Sequence, residues 1–512
     1  MYTYLLIVDV FSYTACMTPK ICLVLTEDTI EKNLVLVQKY RSLIDIAELR
    51  ADFLQPQEVL LIRRFPELAG IPVILTVRRR IDGGRFTAGE ATRVTIFARG
   101  LAFSDPDPAK NFSYIDLEGD LQAPSIEEAA RAFNITIIRS KYNHKKAITD
   151  IDAEIQQVRR SDDEIVKIAY KANSLSDVTN LFRFANHERG RCILVAMGAY
   201  GVPSRLLAGR LNSEITYVMP QEKTSEFIPG LIDPFSLVYL YRFKQINEKT
   251  KIFGVVGSDV SESLGPQMHN KAYAKQNINA VYIPINARVS EDVIEFAEVA
   301  GVSGLSIDHP FKKPIVSSMN ECSKTTTAIR AANTAVYSNG SWKAFNTDVE
   351  SFSKALQEFL QVKNLRFNRV AIIGAGGAAQ AVAYAVKQLH GKACIFNRTV
   401  EKAKQIALPY RFKWAILAPA SVKLLEKYSS IIIQTTTVGN SFSLAEDPLF
   451  FYTFTGKEAV FDLNYKPEKT ALLTHAEEAG CKITNGYRML EYQTYRQFKI
   501  FTGEDYESSL NA

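Results

Sequence analysis

The chain lacks the features that mark several large protein classes. Its net charge is only +6 over 512 residues, and no long basic block interrupts it. A nucleic-acid partner is therefore not expected, although a mild positive bias suits small anionic molecules. Cysteine is sparse, with six residues at 16, 22, 192, 322, 394 and 481 and no C-x-x-C pair. That spacing argues against a disulfide framework or a zinc site and for reduced thiols in a cytoplasmic protein, with no metal. No apolar run approaches the roughly 18 residues of a membrane span. The first 16 residues are apolar, but Asp9 interrupts them and no basic residue precedes them, so a signal peptide is not expected. Residues 1–19 read as an extension ahead of the first strand. Short-period repeats and low-complexity segments are absent.

What remains is an ordinary globular composition, 47% hydrophobic and 23% charged, long enough for roughly two to four domains. The chain is organised around Val370–Gln380. A four-residue apolar run reads as a buried parallel strand and meets Gly374-x-Gly376-x-x-Ala379, followed by a small-residue helical run. That order is what a dinucleotide site requires. Gly374 permits the tight turn, Gly376 lets the backbone approach a pyrophosphate, and Gly377 and Ala378 open the helix whose N-terminus holds it. The next strand ends in Asn397-Arg398-Thr399, where NAD-binding chains place an acid for the ribose hydroxyl. Arg398 there, with Lys402 one turn on, predicts NADP.

From residue 20 to about 240, apolar runs alternate with helical patterns. Strands are expected at 21–25, 43–49, 72–77, 114–118, 135–139, 165–169, 192–197 and 214–218, and helices at 31–41 and 124–133 among others. Eight strands in βα alternation predict a (β/α)8 TIM barrel, an α/β fold whose chemistry sits at strand C-termini. Glu48 and Arg50 follow strand two, and Arg78 follows strand three. Lys167 lies inside Ile165-Val-Lys-Ile-Ala169. A lysine there is buried, is expected to have a depressed pKa, and suits imine formation with a ketone. Residues 234–250 are expected to close the barrel with a helix before the charged Asn247–Thr250.

These residues resemble the type I 3-dehydroquinate dehydratases. The matching pieces are Glu48-Leu-Arg50-Ala-Asp52, Thr76-Val-Arg78 with Asp82-Gly-Gly84, Asp163–Ala169, Met197-Gly198 and Ser204-Arg205-Leu206. The resemblance implies that Lys167 forms an imine with the substrate ketone. It implies that Glu48, Arg50, Arg78 and Arg205 bind the substrate's hydroxyls and carboxylate. Three positions depart from the family pattern. The family's base follows as S-x-H, but Tyr142 stands in that slot and His144 lies two residues late. Phe227 and Leu231 replace the serine and glutamine of a lid loop, and Asp82 replaces a glutamate.

Residues 251–505 resemble shikimate dehydrogenase. The match runs through Gly257–Asn270, Gly304–Lys312, Ala331–Thr334, Phe345–Asp348, Asp462–Pro467 and Asn485–Gln493. The resemblance implies a two-lobed unit with a Rossmann NADP-binding domain over 351–484. A substrate-binding domain would span 251–350, completed by 485–512, after a barrel over 20–246. It further implies a Lys312–Asp348 proton-donor pair, substrate contacts from Ser263, Asn333 and Gln493, and nicotinamide contacts from Gly486 and Met489. Gly265 replaces a serine and Asp308 a threonine. The glycine is expected to open room, and both changes point toward quinate beside shikimate.

Barrel followed by dehydrogenase resembles the bifunctional dehydroquinate dehydratase–shikimate dehydrogenases. That implies dehydration of 3-dehydroquinate to 3-dehydroshikimate, then NADPH-dependent reduction to shikimate, with small-molecule partners and neither nucleic acid nor membrane. Two further readings stay open: a quinate or shikimate-type dehydrogenase with an impaired barrel, and a non-catalytic quinate-pathway sensor.

Overall fold

The computed structural model describes residues 18–102, 105–185, 190–223, 230–441 and 443–507. Most of the expected N-terminal extension, and Phe227 of the lid loop, lie outside the described residues. The chain divides into two compact units whose main boundary falls between Thr250 and Lys251.

The first unit is an eight-stranded parallel sheet. Its strands are β1 (Lys20–Leu25), β2 (Ile46–Arg50), β3 (Val73–Thr76), β4 (Tyr114–Glu118), β5 (Thr136–Asn143), β6 (Ile165–Lys171), β7 (Cys192–Met197) and β8 (Ile215–Val218). Sequential neighbours pair from β1 to β7, and β8 pairs with β1. The remaining seam is held by an isolated parallel bridge between Cys192 and Ser213. Alternate side chains of these strands fill the barrel with a core that includes Ile46, Ile74, Ile138, Ile165 and Ile193. Helices Ile30–Tyr40 and Pro124–Ala132 are among those that cover it.

The helix expected to close the barrel ahead of Asn247 is cut short. A five-residue π-helical turn, Ser236–Leu240, and a 3-10 turn, Phe243–Gln245, stand there instead. Arg242 between them is left-handed at φ 48°, which stops helical propagation.

The second unit contains two sheets. The first has the order β10-β9-β11-β13-β14-β12, from β9 (Lys251–Gly257), β10 (Ala280–Asn286), β11 (Val302–Ile307), β12 (Glu321–Cys322), β13 (Thr334–Ser338) and β14 (Ser341–Phe345). The second is fully parallel, β17-β16-β15-β18-β19-β20. Its strands are β15 (Arg369–Ile373), β16 (Lys392–Asn397), β17 (Lys413–Ile416), β18 (Ile431–Gln434), β19 (Ala459–Asp462) and β20 (Lys482–Thr484). That order places the topological switch point between β15 and β18, where a Rossmann sheet binds its ligand. The buried core there joins Val370, Ile372, Val382, Ile395 and Ile433 with Phe352 and Leu356 of helix Asp348–Leu360. Among the described residues no helix is long and apolar enough to cross a membrane.

Candidate active sites

In the barrel, β4 supplies the group that organises the site. Asp116 is buried and pairs with Arg78 Nη2 at 2.7 Å and Lys167 Nζ at 3.2 Å, and it accepts from Ser140 Oγ at 2.5 Å. Burial alone would raise its pKa, but Arg78 and Lys167 hold it at about 2. Glu48 Oε1 lies 3.9 Å from Lys167 Nζ and accepts from Thr76 Oγ1 at 2.7 Å. The ammonium also faces the ring of Tyr217 at 4.0 Å and that of Tyr142 at 5.4 Å.

Lys167 is buried as expected, but its pKa is not depressed. Burial pulls it down, yet the two tyrosines and the carboxylates of Glu48 and Asp116 outweigh burial and push it well above its ordinary value. The free barrel thus keeps Lys167 as an ammonium.

The three arginines separate clearly. Arg50 spends its fork on Asp52, at 2.9 and 2.8 Å. Arg78 spends its own on Asp116 and Glu118. Arg205, only 4% exposed, donates to Ala196 O at 3.0 Å and has no carboxylate partner among the described residues; its Nε is unsatisfied. Burial pushes its pKa down to about 10. A buried cation in this state is a ready receptor for a ligand carboxylate.

Ser140, Tyr142 and His144 occupy the same face of β5 and its extension by strand alternation. Tyr142 holds the inner position, its Oη accepting from Arg78 Nη2 at 3.2 Å while the guanidinium lies 4.0 Å from the ring centroid. His144 stacks outside it, ring centroids 5.8 Å apart. Its Nε2 lies 2.8 Å from Asp82 O. A carbonyl only accepts, so that nitrogen carries a proton and is not the basic one.

In the second unit a cavity of about 670 Å³ is lined by Ser263, Asp308, Lys312, Asp348, Arg398 and Gln493 among others. Lys312 Nζ pairs with Asp348 Oδ2 at 2.8 Å. Asp348 opens the helix Asp348–Leu360, where the N-terminal dipole favours a carboxylate. Burial lowers the Lys312 pKa, but Asp348 and Asp308 more than compensate and raise it.

Asn333 does not line the cleft as a free amide. It is fully buried, donating to Asp348 Oδ1 at 2.7 Å and Thr347 Oγ1 at 2.8 Å, and accepting from Thr347 N and Thr334 Oγ1. Every hydrogen-bonding position of its amide is taken, so it orients Asp348 and has none left for a substrate hydroxyl. Gln493 lines the cavity, whereas the neighbouring Gln497 is buried against Ser306, Asn333 O and Thr334.

The glycine loop reads as its spacing predicts. Gly374 is at φ 109° and a Cβ there would lie 2.6 Å from Thr435 Oγ1, so only glycine fits. Nothing stands within 4 Å of a Cβ at Gly376, which leaves that backbone open to the cleft. Helix Gly377–Gln388 follows, and a Cβ on Gly377 would meet the Lys312 stem at 3.5 Å. Asn397 Nδ2 donates to Thr399 O at 2.9 Å, shaping the turn that presents Arg398. Arg398 and Lys402 line the cavity with Lys313, and none of the three has a carboxylate partner among the described residues. Burial lowers the Lys313 pKa and the charge of Lys402 lowers it further. Gly486 and Met489 also line the cavity, although Gly486 is demanded by packing, since a Cβ would lie 2.0 Å from Leu463 O. Gly265 does not open empty room: a Cβ there would meet Tyr282 and Ser263.

Residues 21–248 match the type I 3-dehydroquinase family. Residues 255–335 match the shikimate dehydrogenase substrate-binding domain, and 355–443 match the shikimate/quinate 5-dehydrogenase family. A shikimate dehydrogenase (NADP(+)) of Pyrococcus furiosus is 32% identical over 51% of this chain and 93% of its own. The chain belongs to the bifunctional type I 3-dehydroquinase–shikimate dehydrogenase family.

A bifunctional 3-dehydroquinate dehydratase/shikimate dehydrogenase of Arabidopsis thaliana, named chloroplastic, is 28% identical over 94% of this chain and 82% of its own. The shikimate biosynthesis protein AroDE of Chlamydia pneumoniae is 27% identical over 76% and 78%. Dehydroquinase and shikimate dehydrogenase activities of the shikimate pathway therefore reside in one chain.

Sequence reasoning missed several residues of this bifunctional enzyme. Asp116 carries the same signal that exposed Lys167, a charge inside a buried strand. The Thr435-Thr436-Thr437 run lines the dehydrogenase cleft directly after the buried strand β18. Lys313 and Tyr282 carry no local signal, because only tertiary contact brings them to the site.

Proposed function

We propose that the barrel dehydrates 3-dehydroquinate to 3-dehydroshikimate through an imine on Lys167, and that the second unit reduces 3-dehydroshikimate to shikimate with NADPH. The observation that supports this best is one buried lysine–carboxylate centre per unit: Lys167 with Asp116 and Glu48, and Lys312 with Asp348. In the barrel, Lys167 attacks the ketone after shedding a proton, and loss of water leaves an iminium. The iminium acidifies the adjacent C–H; that proton and the β-hydroxyl leave together as one water molecule, and a second water adds to the conjugated iminium to release the enone and return the lysine as an amine. Arg205 takes the substrate carboxylate and Glu48 its hydroxyls. Arg50 and Arg78, already paired, position these groups.

In the cleft, bound NADPH supplies a hydride. Lys312 delivers a proton to the carbonyl oxygen, and Asp348, held by Asn333, keeps the ammonium charged and aimed. Ser263 and Gln493 face the substrate. Gly374, Gly376, Gly377 and Ala378 cradle the pyrophosphate, and Asn397, Arg398 and Thr399 hold the 2′-phosphate end. Gly486 and Met489 flank the nicotinamide. The unclaimed cations Arg398, Lys402 and Lys313 support NADP over NAD. Because a side chain at 265 would meet Tyr282 and Ser263, protein packing accounts for the glycine without the extra hydroxyl of quinate, and we take shikimate as the substrate.

We assign the barrel to 20–246, the substrate-binding domain to 251–350 with 485–512, and the Rossmann domain to 351–484. Free cysteines at 22, 322, 394 and 481 support a reducing, cytoplasmic setting. Borohydride added with 3-dehydroquinate tests the imine. Substrate mass should attach to the peptide containing Lys167; turnover with no adduct there ends the assignment.

A further inference from the structure

Gly265 begins the helix Gly265–Lys275 at the floor of the dehydrogenase cleft. A Cβ on it would lie 3.1 Å from Tyr282 Cε1, 3.3 Å from Tyr282 Oη and 3.2 Å from Ser263 Oγ. The phenol edge therefore holds the space a side chain at 265 would use, and two hydroxyls converge on that one point. The phenol is well fixed. Its ring stacks on His269 with centroids 4.3 Å apart and planes at 6°. Its backbone N–H donates to Asn270 Oδ1, and its carbonyl accepts from Asn270 Nδ2, each at 2.8 Å. Tyr282 is 1% exposed, yet it lines the cleft with Ser263, Ser306 and Asp308.

We propose that Tyr282 Oη replaces the hydroxyl a serine at 265 would supply, donating together with Ser263 Oγ to the carboxylate of the substrate reduced beside Lys312. The inference rests on the shikimate dehydrogenase reading of this cleft and assigns a donor within it. Burial pushes the phenol's pKa up, a side-chain hydrogen bond with Ser306 lowers it by less, and the nearby Asp308 carboxylate adds to the rise, so it keeps its proton and can only donate to an anion. A side chain at 265 would displace this donor, which accounts for the glycine. His269 serves as the stacking base. Burial pushes its pKa down to about 3 and outweighs a side-chain hydrogen bond with Gln497, so it stays neutral beneath the phenol.

The test is Tyr282→Phe, which keeps the ring and the His269 stack and removes only the hydroxyl. Shikimate oxidation with NADP⁺ should show KM for shikimate raised about 10- to 150-fold, as for loss of one hydrogen bond to a charged group. KM for NADP⁺ should stay within about twofold and kcat should change far less than KM. Gly265→Ala is the second variant. It adds a methyl group but no donor, pushes the phenol edge aside, and should raise KM for shikimate in the same way. An unmoved KM for shikimate in either folded variant overturns the assignment. So does an equal rise for both substrates, which would mark a role in the fold. Native protein that does not reduce 3-dehydroshikimate with NADPH would instead overturn the dehydrogenase reading itself.

Discussion

Arg205→Met separates function from stability. Arg205 is a buried guanidinium facing no carboxylate among the described residues. Burial takes its pKa from the ordinary 12.5 to about 10. At about 1.4 kcal/mol per pH unit this is about 3 kcal/mol held against the charged form in the folded chain. The sign follows from the direction. A cation depressed on folding is a penalty fully present below about pH 10, relieved only as pH rises toward the unfolded value. At neutral pH the whole penalty applies.

Methionine fills a similar volume without charge, so the substitution should stabilise the substrate-free barrel by about 1–3 kcal/mol after the lost bond to Ala196 O is counted. It should also cost the carboxylate contact, a charge-assisted interaction of about 1.5–3 kcal/mol, and lower dehydratase kcat/KM by roughly 10- to 150-fold. Urea unfolding at pH 7 and initial rates on 3-dehydroquinate measure the two effects. A destabilised variant, or one with undiminished kcat/KM, refutes the reading of Arg205 as an anion receptor held at the expense of stability.

Two other substitutions probe the departures and the cofactor. Because Tyr142 holds the inner position and His144 Nε2 is engaged by Asp82 O, Tyr142→His should raise dehydratase kcat by about tenfold or more, within the range of general acid–base catalysis. His144→Ala should change it less than about threefold; collapse of activity in His144→Ala would show that the imidazole reaches the imine. Arg398→Ala should raise KM for NADPH about ten- to hundredfold and leave NADH nearly unaffected, and equal losses for both cofactors would contradict a 2′-phosphate contact.

Local pattern carried much of the fold and the placement of the lysines, but not their environment. The barrel strands were legible because each is a short apolar run in βα alternation. The glycine loop was legible because a strand, a turn and a small-residue helix follow in strict order. Burial of Lys167 followed from its neighbours, but its protonation did not. That depends on Asp116, some fifty residues earlier, and on Tyr217, fifty later, which only barrel closure brings together. Asn333 was misjudged for the same reason: whether an amide faces solvent or holds Asp348 is decided by packing. Gly265 reads in sequence as added space, but Tyr282, on strand β10, stands beside it. The Arg50–Asp52 pair was within reach of the sequence, since the two residues stand two positions apart. The closing helix failed where Arg242 turns left-handed, for which the sequence offers no glycine as warning.

The central claim is that one chain carries both consecutive reactions. The direct measurement is NADPH oxidation by purified protein supplied with 3-dehydroquinate and no other enzyme, in native and Lys167→Ala forms. Native protein should oxidise one NADPH per 3-dehydroquinate consumed and accumulate shikimate. Lys167→Ala should lose this but retain oxidation with 3-dehydroshikimate. If native protein oxidises NADPH with 3-dehydroshikimate but not with 3-dehydroquinate, the barrel is not a working dehydratase and the claim is contradicted.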